Sequence, residues 1–266
     1  MNYAIVIRNV IDLRAGPVFR SERKSQLLFN EPLAVSQTRD GYCRVYQDDG
    51  YNGWVDRRAL HFLSSQKCKR YIKKLDFRVA AKTARIIPLE RGAAASPPFI
   101  FYGTRLCLVG EKGHFGYAVV PDNSLIRISL RNISPLSAMK RRNSAPEHII
   151  DEARKFLGVP YLWGGITPFG LDCSGLVQSV FRAAGINLPR DSKDQMKAGR
   201  EIARGDIGTA DLLFFPGHVA VAVNRSHIIH ASLAEGGVAI NSLIQDEIGF
   251  RGDLKDSFVA ARRLLR

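Results

Sequence analysis

One cysteine followed by a pair of histidines offers the chemistry of a thiol nucleophile with a basic partner. Cys173 stands where the loop YLWGG…LD becomes the helix-like run CSGLVQSVFRAAG. Backbone N–H groups and the helix dipole at that end are expected to stabilise a thiolate and to lower the pKa of the thiol. His218 follows 45 residues later in FFPGHVAVAV, and His230 lies twelve residues beyond it in HIIHAS. If the two strands are antiparallel neighbours, His218 faces Cys173 as the base and His230 orients that base.

Each of these residues also has a purely structural interpretation. A cysteine that begins a helix is often only a buried side chain, and a lone histidine on an apolar strand is usually a satisfied core or surface residue. The catalytic interpretation is favoured by four glycines that let backbone and substrate approach closely, namely Gly164, Gly165, Gly170 and Gly175. His227 competes for the orienting role, but its odd spacing from His230 puts it on the opposite face of a strand.

Composition indicates an ordinary globular protein. The chain has 266 residues, of which 45% are apolar and 24% are charged, so neither disorder nor a fibrous fold is indicated. It has no apolar run long enough to cross a membrane, and its start lacks the cationic region and cleavage site of a secretory signal. Its four cysteines are scattered with no C-x-x-C pair, which disfavours a disulfide framework or a zinc site. We therefore expect a cytoplasmic protein without membrane insertion.

The net charge of +14 is concentrated in one half of the chain. Residues 1–142 hold 25 Lys and Arg against 11 Asp and Glu, whereas residues 143–266 hold 14 of each. A solvated basic surface explains this asymmetry, and so does attraction to an anionic polymer. Short clusters such as KCKR and KRR occur without a nucleic-acid-binding motif, so no nucleic acid is expected as partner.

The hydrophobic pattern divides the chain into four parts. Short strand-like runs alternate with turn residues in 1–65 and again in 66–137, which is typical of two small all-β barrels. Residues 138–146, in which the polar, basic run AMKRRNSAP occurs, are the best linker candidate. Residues 147–266 begin with two amphipathic helices and continue with the strand-like runs DLLFF, HVAVAVN, HIIHA, GVAI and VAARRLL. Helices followed by an antiparallel sheet predict an α+β domain.

The two helices are predicted from apolar spacing. In PEHIIDEARKFLG one face carries Ile149, Ile150, Ala153, Phe156 and Leu157, and Gly158 ends the helix. The second helix is predicted from Cys173 to Ala184, with Gly185 as its stop.

Five motifs of the C-terminal half occur in the order found in the NlpC/P60 family of papain-like cell-wall peptidases: YLWGG, DCSG, LPRDS, GHVAV and HAS. Residues 143–266 resemble that family, which implies a papain-like α+β catalytic domain. The N-terminal half is similar to bacterial SH3 domains, through DLRAGP and GYNGWV. Two SH3-like domains before such a catalytic domain resemble the γ-D-glutamyl-L-diamino acid endopeptidases. The resemblance implies a murein-recycling cysteine peptidase acting on L-Ala-γ-D-Glu-diamino acid peptides with a free N-terminus, and no metal or cofactor.

The same resemblance implies roles for individual residues. Tyr161 would polarise the scissile carbonyl with the backbone N–H of Cys173. Asp172 would pair with the substrate ammonium group. The remaining substrate-binding positions are Ser174 and Ser192 for the D-Glu carboxylate, Trp163 as a pocket wall, and Glu22 and Tyr51 from the first SH3-like domain.

Structural alternatives exist for several of these positions as well. A desolvated ammonium group needs an opposing carboxylate, which Asp172 can supply, but Asp also commonly caps helices. Tyr161 and Trp163 are equally compatible with core aromatics. For Arg190 in LPRDS, the alternative is a solvated turn residue.

Three competing functions stay open from the sequence. A papain-like amidase or acyltransferase would use the same Cys/His/His set with a different acceptor. A wall-binding protein would use its SH3-like domains on intact peptidoglycan without catalysis. Nucleic-acid binding through the basic half would weaken steeply with added salt. The peptidase is the leading hypothesis because both Cys173 and His218 are present.

Overall fold

The structure is a computed structural model that describes residues 2–89, 96–137 and 145–265. The chain forms two compact units, Met1–Ala138 and Met139–Arg266. Of the predicted linker 138–146, residues 138–144 lie outside the described residues. Among the described helices, none is both long and apolar enough to cross a membrane.

The first unit begins with a seven-stranded antiparallel sheet in the order β3-β2-β6-β5-β4-β1-β7. Its strands are β1 (Asn2–Val6), β2 (Val10–Arg14), β3 (Arg23–Leu28), β4 (Pro32–Arg39), β5 (Tyr42–Tyr46), β6 (Asn52–Asp56) and β7 (Leu60–Leu63). The turn between β4 and β5 is tight because Asp40 and Gly41 both have positive φ, 49° and 76°. Alternating side chains fill one core, which includes Leu13, Val45 and Val55. The all-β class predicted for the N-terminal region is therefore confirmed.

A second antiparallel sheet follows in the order β10-β9-β13-β12-β11-β8-β14. Its strands are β8 (Phe77–Val79), β9 (Thr83–Pro88), β10 (Phe99–Phe101), β11 (Arg105–Lys112), β12 (Phe115–Val119), β13 (Leu125–Ser129) and β14 (Ile133–Pro135). A helix that was not predicted from the sequence, α1 (Ser65–Ile72), lies between the two sheets along the chain. The Ser64 side chain caps it, Cys68 is buried, and the basic cluster Lys67, Lys69 and Arg70 is exposed.

The two sheets of the first unit share side chains. Phe29 follows the last residue of β3, yet it is packed in the core of the second sheet. Tyr71 of α1 donates a hydrogen bond to Asn30 Oδ1 at 2.6 Å, and Asn30 Nδ2 donates to the carbonyl of Arg105 at 2.8 Å. Burial raises the pKa of the Tyr71 hydroxyl, which keeps it a donor. The two β segments therefore form one packed body.

The second unit contains a six-stranded antiparallel sheet in the order β17-β22-β18-β19-β20-β21. Its strands are β17 (Arg200–Ile202), β18 (Leu212–Phe215), β19 (His218–Ala222), β20 (His227–Ser232), β21 (Gly237–Ser242) and β22 (Ala260–Arg263), and a short hairpin of β15 (Ile166–Thr167) and β16 (Gly170–Leu171) precedes them. All five predicted strand runs are present, while the three-residue edge strand β17 was not predicted. The predicted α+β class is confirmed.

Helices cover one part of this sheet. They are α2 (Pro146–Arg154), α3 (Cys173–Ala183), α4 (Ser192–Gln195) and α5 (Gly252–Asp256). Helix α3 packs against α2, β19 and β20, which buries Leu176, Val180 and Phe181. Helix α2 ends at Arg154, earlier than predicted, because the chain turns over residues 155–158. Leu157 is therefore 41% exposed, and its predicted place on the buried face is wrong.

Candidate active site

Cys173 is the first residue of α3, and its side chain is buried. Asp172 is the N-cap, and its Oδ1 accepts a hydrogen bond from the backbone N–H of Gly175 at 2.6 Å. The backbone N–H groups of Ser174, in the first turn, and of Val219, on β19, are close enough to the sulfur to lower the pKa of the thiol. The second of these contacts puts the thiol beside the strand that begins with His218.

Glycines make this position of the helix possible. A Cβ on Gly175 would lie 2.2 Å from the carbonyl oxygen of Gly165, and a Cβ on Gly165 would lie 2.4 Å from the carbonyl oxygen of Gly170. Gly170 is held equally closely by Leu162. The loop before Cys173 is therefore packed backbone to backbone against the first turn of α3, as close approach at these glycines predicts.

The two predicted histidines are adjacent. His218 opens β19 after a turn in which Gly217 has φ +68°, and β19 pairs antiparallel with β20. His218 Nε2 lies 2.7 Å from His230 Nδ1, and the ring centroids are 5.0 Å apart. His227 points elsewhere, with its Nε2 3.2 Å from Glu247, as its odd spacing predicts. Nδ1 of His218 forms no hydrogen bond within the described part of the chain.

Burial dominates the titration of the site. Desolvation, followed by the neighbouring His230 and Arg251, lowers the pKa of His218 to about 4, against the opposing charge of Asp253. Desolvation also lowers the pKa of His230, although the hydrogen bond to Asn241 opposes this. Both imidazoles are therefore neutral at neutral pH.

The thiol of Cys173 has a raised pKa. Desolvation is the largest cause and the nearby charge of Asp172 adds to it, while the N–H groups of Val219 and Ser174 and the charge of Arg190 lower it. The N–H at the helix N-terminus lowers the thiol pKa as predicted, but the net shift of the pKa is upward, contrary to the expectation from the sequence. Burial outweighs the helix terminus, so Cys173 is a thiol, and His218 is a neutral imidazole, in the resting protein.

Asp172, the residue before Cys173, forms a buried ion pair with Arg190. The guanidinium donates Nη1 to Oδ1 at 3.0 Å and Nη2 to Oδ2 at 2.6 Å, and Nη1 also bonds Ser174 Oγ at 2.8 Å. Gly164 N–H donates to Oδ2 at 2.8 Å. The interpretation of Arg190 as a solvated turn residue is wrong, because it is 2% exposed. Arg190 therefore balances the charge of Asp172, and the predicted role of Asp172 towards a substrate ammonium group stays a prediction.

The other predicted residues of the second unit surround this cluster to different degrees. Tyr161 is half-buried, and burial followed by the charges of Cys173 and Asp172 raises the pKa of its hydroxyl to about 12. It therefore stays protonated and able to donate. Trp163 is 61% exposed, which excludes the alternative of a core aromatic. Ser192 is half-buried at the first residue of α4.

Glu22 and Tyr51 lie in the first unit, so their predicted roles stay predictions. Glu22 is exposed immediately before β3, and Tyr51 packs against the core of the first sheet. Lys24 Nζ lies 4.7 Å from the centre of the Tyr51 ring, an interaction of a cation with an aromatic face.

Two residues of the site were missed or misjudged from the sequence. Asn241 on β21 places Oδ1 2.8 Å from His230 Nε2, and only its polar character among apolar strand residues pointed to it. Arg190 stood inside a recognised motif, but its burial depends on Asp172, 18 residues away in sequence.

A cysteine at a helix N-terminus beside paired histidines on an antiparallel sheet defines a papain-like cysteine peptidase. Residues 158–249 match the NlpC/P60 family, and residues 13–60 match the bacterial dipeptidyl-peptidase Sh3 domain. The chain is 32% identical over 239 residues to a protein of Bacillus subtilis named gamma-D-glutamyl-L-lysine dipeptidyl-peptidase, which covers 86% of this chain and 75% of that one. The chain belongs to the NlpC/P60 family.

Two further relatives extend over nearly the whole chain. Dipeptidyl-peptidase 6 of Lysinibacillus sphaericus is 26% identical over 277 residues, covering 97% of each chain. The crystal structure of an NlpC/P60 family protein from Bacillus cereus superposes with a TM-score of 0.83 at 21% identity, covering 99% of this chain and 100% of that one. The fold is therefore shared across both units.

Proposed function

We propose that the protein hydrolyses the bond between γ-D-Glu and the diamino acid in peptidoglycan-derived peptides with a free N-terminal L-Ala. The observation that carries the proposal is the 32% identity to a gamma-D-glutamyl-L-lysine dipeptidyl-peptidase over 239 residues. The geometry around Cys173 supports it, because a thiol, a neutral imidazole base and hydrogen-bond donors occur together. Murein peptide recycling in the cytoplasm is the expected context, which cell fractionation would test.

The reaction would begin with proton transfer from Cys173 Sγ to Nδ1 of His218. The resulting thiolate attacks the γ-carbonyl carbon of D-Glu, and the backbone N–H of Cys173 and the hydroxyl of Tyr161 would donate to the oxyanion. Collapse of the tetrahedral intermediate breaks the C–N bond, and the leaving amine takes the proton from His218. Water deprotonated by His218 then attacks the thioester, which releases L-Ala-D-Glu and restores the thiol.

Substrate contacts would come from the rim of this site. Ser174 and Ser192 would bind the D-Glu carboxylate, and the exposed indole of Trp163 would form a wall. The charge of Arg190 beside Ser174 would add to the attraction for that carboxylate. Asp172 stays the carboxylate proposed to pair with the free ammonium group, and Glu22 is proposed as a second carboxylate that attracts it.

Mass spectrometry of peptide cleavage tests the proposal directly. L-Ala-γ-D-Glu-L-Lys and L-Ala-γ-D-Glu-diaminopimelate would be compared with the same peptides acetylated at L-Ala, using Cys173→Ala as the inactive control. Release of L-Ala-D-Glu from the free peptides alone is expected. Equal cleavage of acetylated peptides would remove the ammonium requirement and point to intact wall as substrate. No cleavage by folded, reduced protein would favour an amidase, an acyltransferase or a wall-binding protein.

The role of Glu22 has its own test. Glu22→Gln should raise KM for the free peptide, because a carboxylate that attracts its ammonium group is lost. The preference of the protein for the free peptide over the acetylated peptide should therefore become smaller. Asp40→Asn, an exposed change on a turn of the same unit, should leave that preference unchanged. Equal preference in all three proteins would exclude Glu22 as the ammonium partner.

A further inference from the structure

The side-chain amide of Asn241 is held in one orientation. It is 3% exposed at the end of β21, and its Nδ2 lies 3.0 Å from the carbonyl oxygen of Gly249 and 3.3 Å from Glu235 Oε1. Both of those oxygens only accept hydrogen bonds, so the amide nitrogen belongs on their side. The amide oxygen therefore faces His230 Nε2, at 2.8 Å.

This orientation determines where each imidazole carries its proton. An amide oxygen only accepts, so Nε2 of His230 carries the hydrogen and Nδ1 has the lone pair. His218 Nε2, 2.7 Å away, must then donate to that lone pair. A neutral His218 that is protonated at Nε2 has its lone pair on Nδ1, the nitrogen that forms no hydrogen bond within the described residues.

The charges around the two rings leave both imidazoles neutral in the resting site. Burial lowers the pKa of His218 to about 4 and lowers that of His230, and Arg251 acts in the same direction. The charge of Asp253 raises the pKa of both rings, and the charge of Glu235 raises that of His230. Arg251 is itself paired with Glu235 and Asp253. With two neutral rings, each has one protonated nitrogen, and the position of that proton decides whether a base is available.

We propose that Asn241 is a positioning residue that fixes the tautomers of His230 and His218 and thereby keeps Nδ1 of His218 basic. Without the amide oxygen, His230 is free to carry its hydrogen on Nδ1 and donate to His218 Nε2. His218 would then be protonated on Nδ1 and unable to accept the thiol proton. The inference rests on the proposed role of His218 as the base of the peptidase.

The same chain also keeps its bonds during the reaction. When His218 takes a proton on Nδ1, its Nε2–H still donates to the lone pair of His230, and His230 still donates to Asn241. No group in the chain needs to change its partner, so the imidazolium forms without reorganisation.

Nitrogen-15 NMR of histidine-labelled protein tests the tautomers without any substrate. Signals would be assigned with His218→Gln and His230→Gln, and hydrogen on Nε2 of both rings is expected in the wild type. Hydrogen on Nδ1 of His230 in the wild type would overturn the proposal, whatever any variant does. Because no peptide is needed, failure of the proposed function on peptides leaves this readout intact.

Variants of residue 241 test the consequence. Asn241→Leu removes the acceptor and should move hydrogen to Nδ1 of both rings, slow alkylation of Cys173 by iodoacetamide, and lower kcat roughly 100-fold with little change in KM. Asn241→Asp keeps the acceptor for His230 Nε2, although it loses the donor to the Gly249 carbonyl, and should retain the wild-type tautomers and most of the alkylation rate. Ser242→Ala, at the buried residue that follows Asn241 on β21, is the structural control. It should change neither the tautomers nor the alkylation rate.

Two results in folded variants would contradict the proposal. Wild-type tautomers and alkylation in a folded Asn241→Leu protein would overturn the proposal, and so would equal losses in Ser242→Ala. If Asn241→Leu does not fold, the wild-type tautomers and those of Asn241→Asp decide the question, because loss of the Nε2–H pattern in a folded Asn241→Asp protein contradicts it.

Discussion

Arg190 donates hydrogen bonds to both carboxylate oxygens of Asp172, at 3.0 Å and 2.6 Å, and Asp172 is the residue that precedes Cys173. The pair is almost fully buried, with side-chain exposures of 2% and 8%. It ties the LPRDS segment to the first turn of α3, so the position of Cys173 depends on a contact formed 18 residues away in sequence. The Asp172 carboxylate therefore both caps helix α3 and pairs with Arg190.

Breaking this pair should destabilise the protein. Asp172→Asn leaves a buried guanidinium without its counter-charge, and we expect the free energy of unfolding to fall by about 3 kcal/mol. Urea unfolding followed by circular dichroism measures the change. The control is Asp194→Asn, which breaks an exposed ion pair with Lys197 in the same unit. This change should leave the urea midpoint unchanged. Equal midpoints for both variants would contradict the structural role of the pair.

The reactivity of Cys173 should depend on pH as a buried thiol does. Because burial and Asp172 raise its pKa, the alkylation rate with iodoacetamide should be low at pH 7 and keep increasing above pH 9. Mass spectrometry of the modified cysteine, with Cys173→Ala as blank, gives the rate. A plateau already reached at pH 6 would instead indicate a preformed thiolate–imidazolium pair.

Acid should destabilise the second unit through His218. Its pKa is about 4 in the folded protein against 6.5 when unfolded, so only the unfolded chain binds a proton between those values. This contribution is fully present above pH 6.5 and is lost as the pH falls towards 4. The loss for this group amounts to about 2 to 3 kcal/mol.

The measurement is urea unfolding at pH 7 and pH 4.5 in the wild type and in His218→Gln. Other acidic groups contribute to both proteins, so the informative quantity is how far the free energy of unfolding falls from pH 7 to pH 4.5 in each protein. A smaller fall is expected in His218→Gln. An identical fall in both proteins would show that the folded-state pKa of His218 is close to its unfolded value.

Adding one methyl group at Gly175 should displace Cys173. The new Cβ would lie 2.2 Å from the Gly165 carbonyl oxygen and 2.8 Å from Asp172 Oδ1. Gly175→Ala should therefore lower the free energy of unfolding by about 2 kcal/mol or more, and lower kcat as well. Gly205→Ala, on the same unit with open space around its Cα, should be tolerated. Normal stability and turnover in Gly175→Ala would show that the loop relaxes easily.

The sequence predicted the elements more completely than the interactions between them. Apolar spacing indicated α3 and every long strand of the second unit, because periodicity reflects which face of one element is buried. The proximity of His218 and His230 followed from their spacing once antiparallel neighbours were assumed. The helix α1 was missed because a short, strongly basic run between two strand-rich segments has little apolar pattern of its own.

What escaped prediction depends on long-range packing. The burial of Arg190 requires Asp172, and the hydrogen bond of Asn241 requires the register of β20 with β21, neither of which is encoded in local spacing. The sign of the shift at Cys173 was also missed. A helix terminus is visible in sequence, whereas the depth at which it is buried is a property of the whole unit.

Phe29 belongs by sequence to the first β segment and by packing to the core of the second. Separating the chain between residues 65 and 66 would leave an aromatic ring bare on one piece and a cavity in the other. The two segments are therefore expected to unfold in a single cooperative transition. Although each resembles an interchangeable module, neither can be replaced alone without damaging its neighbour.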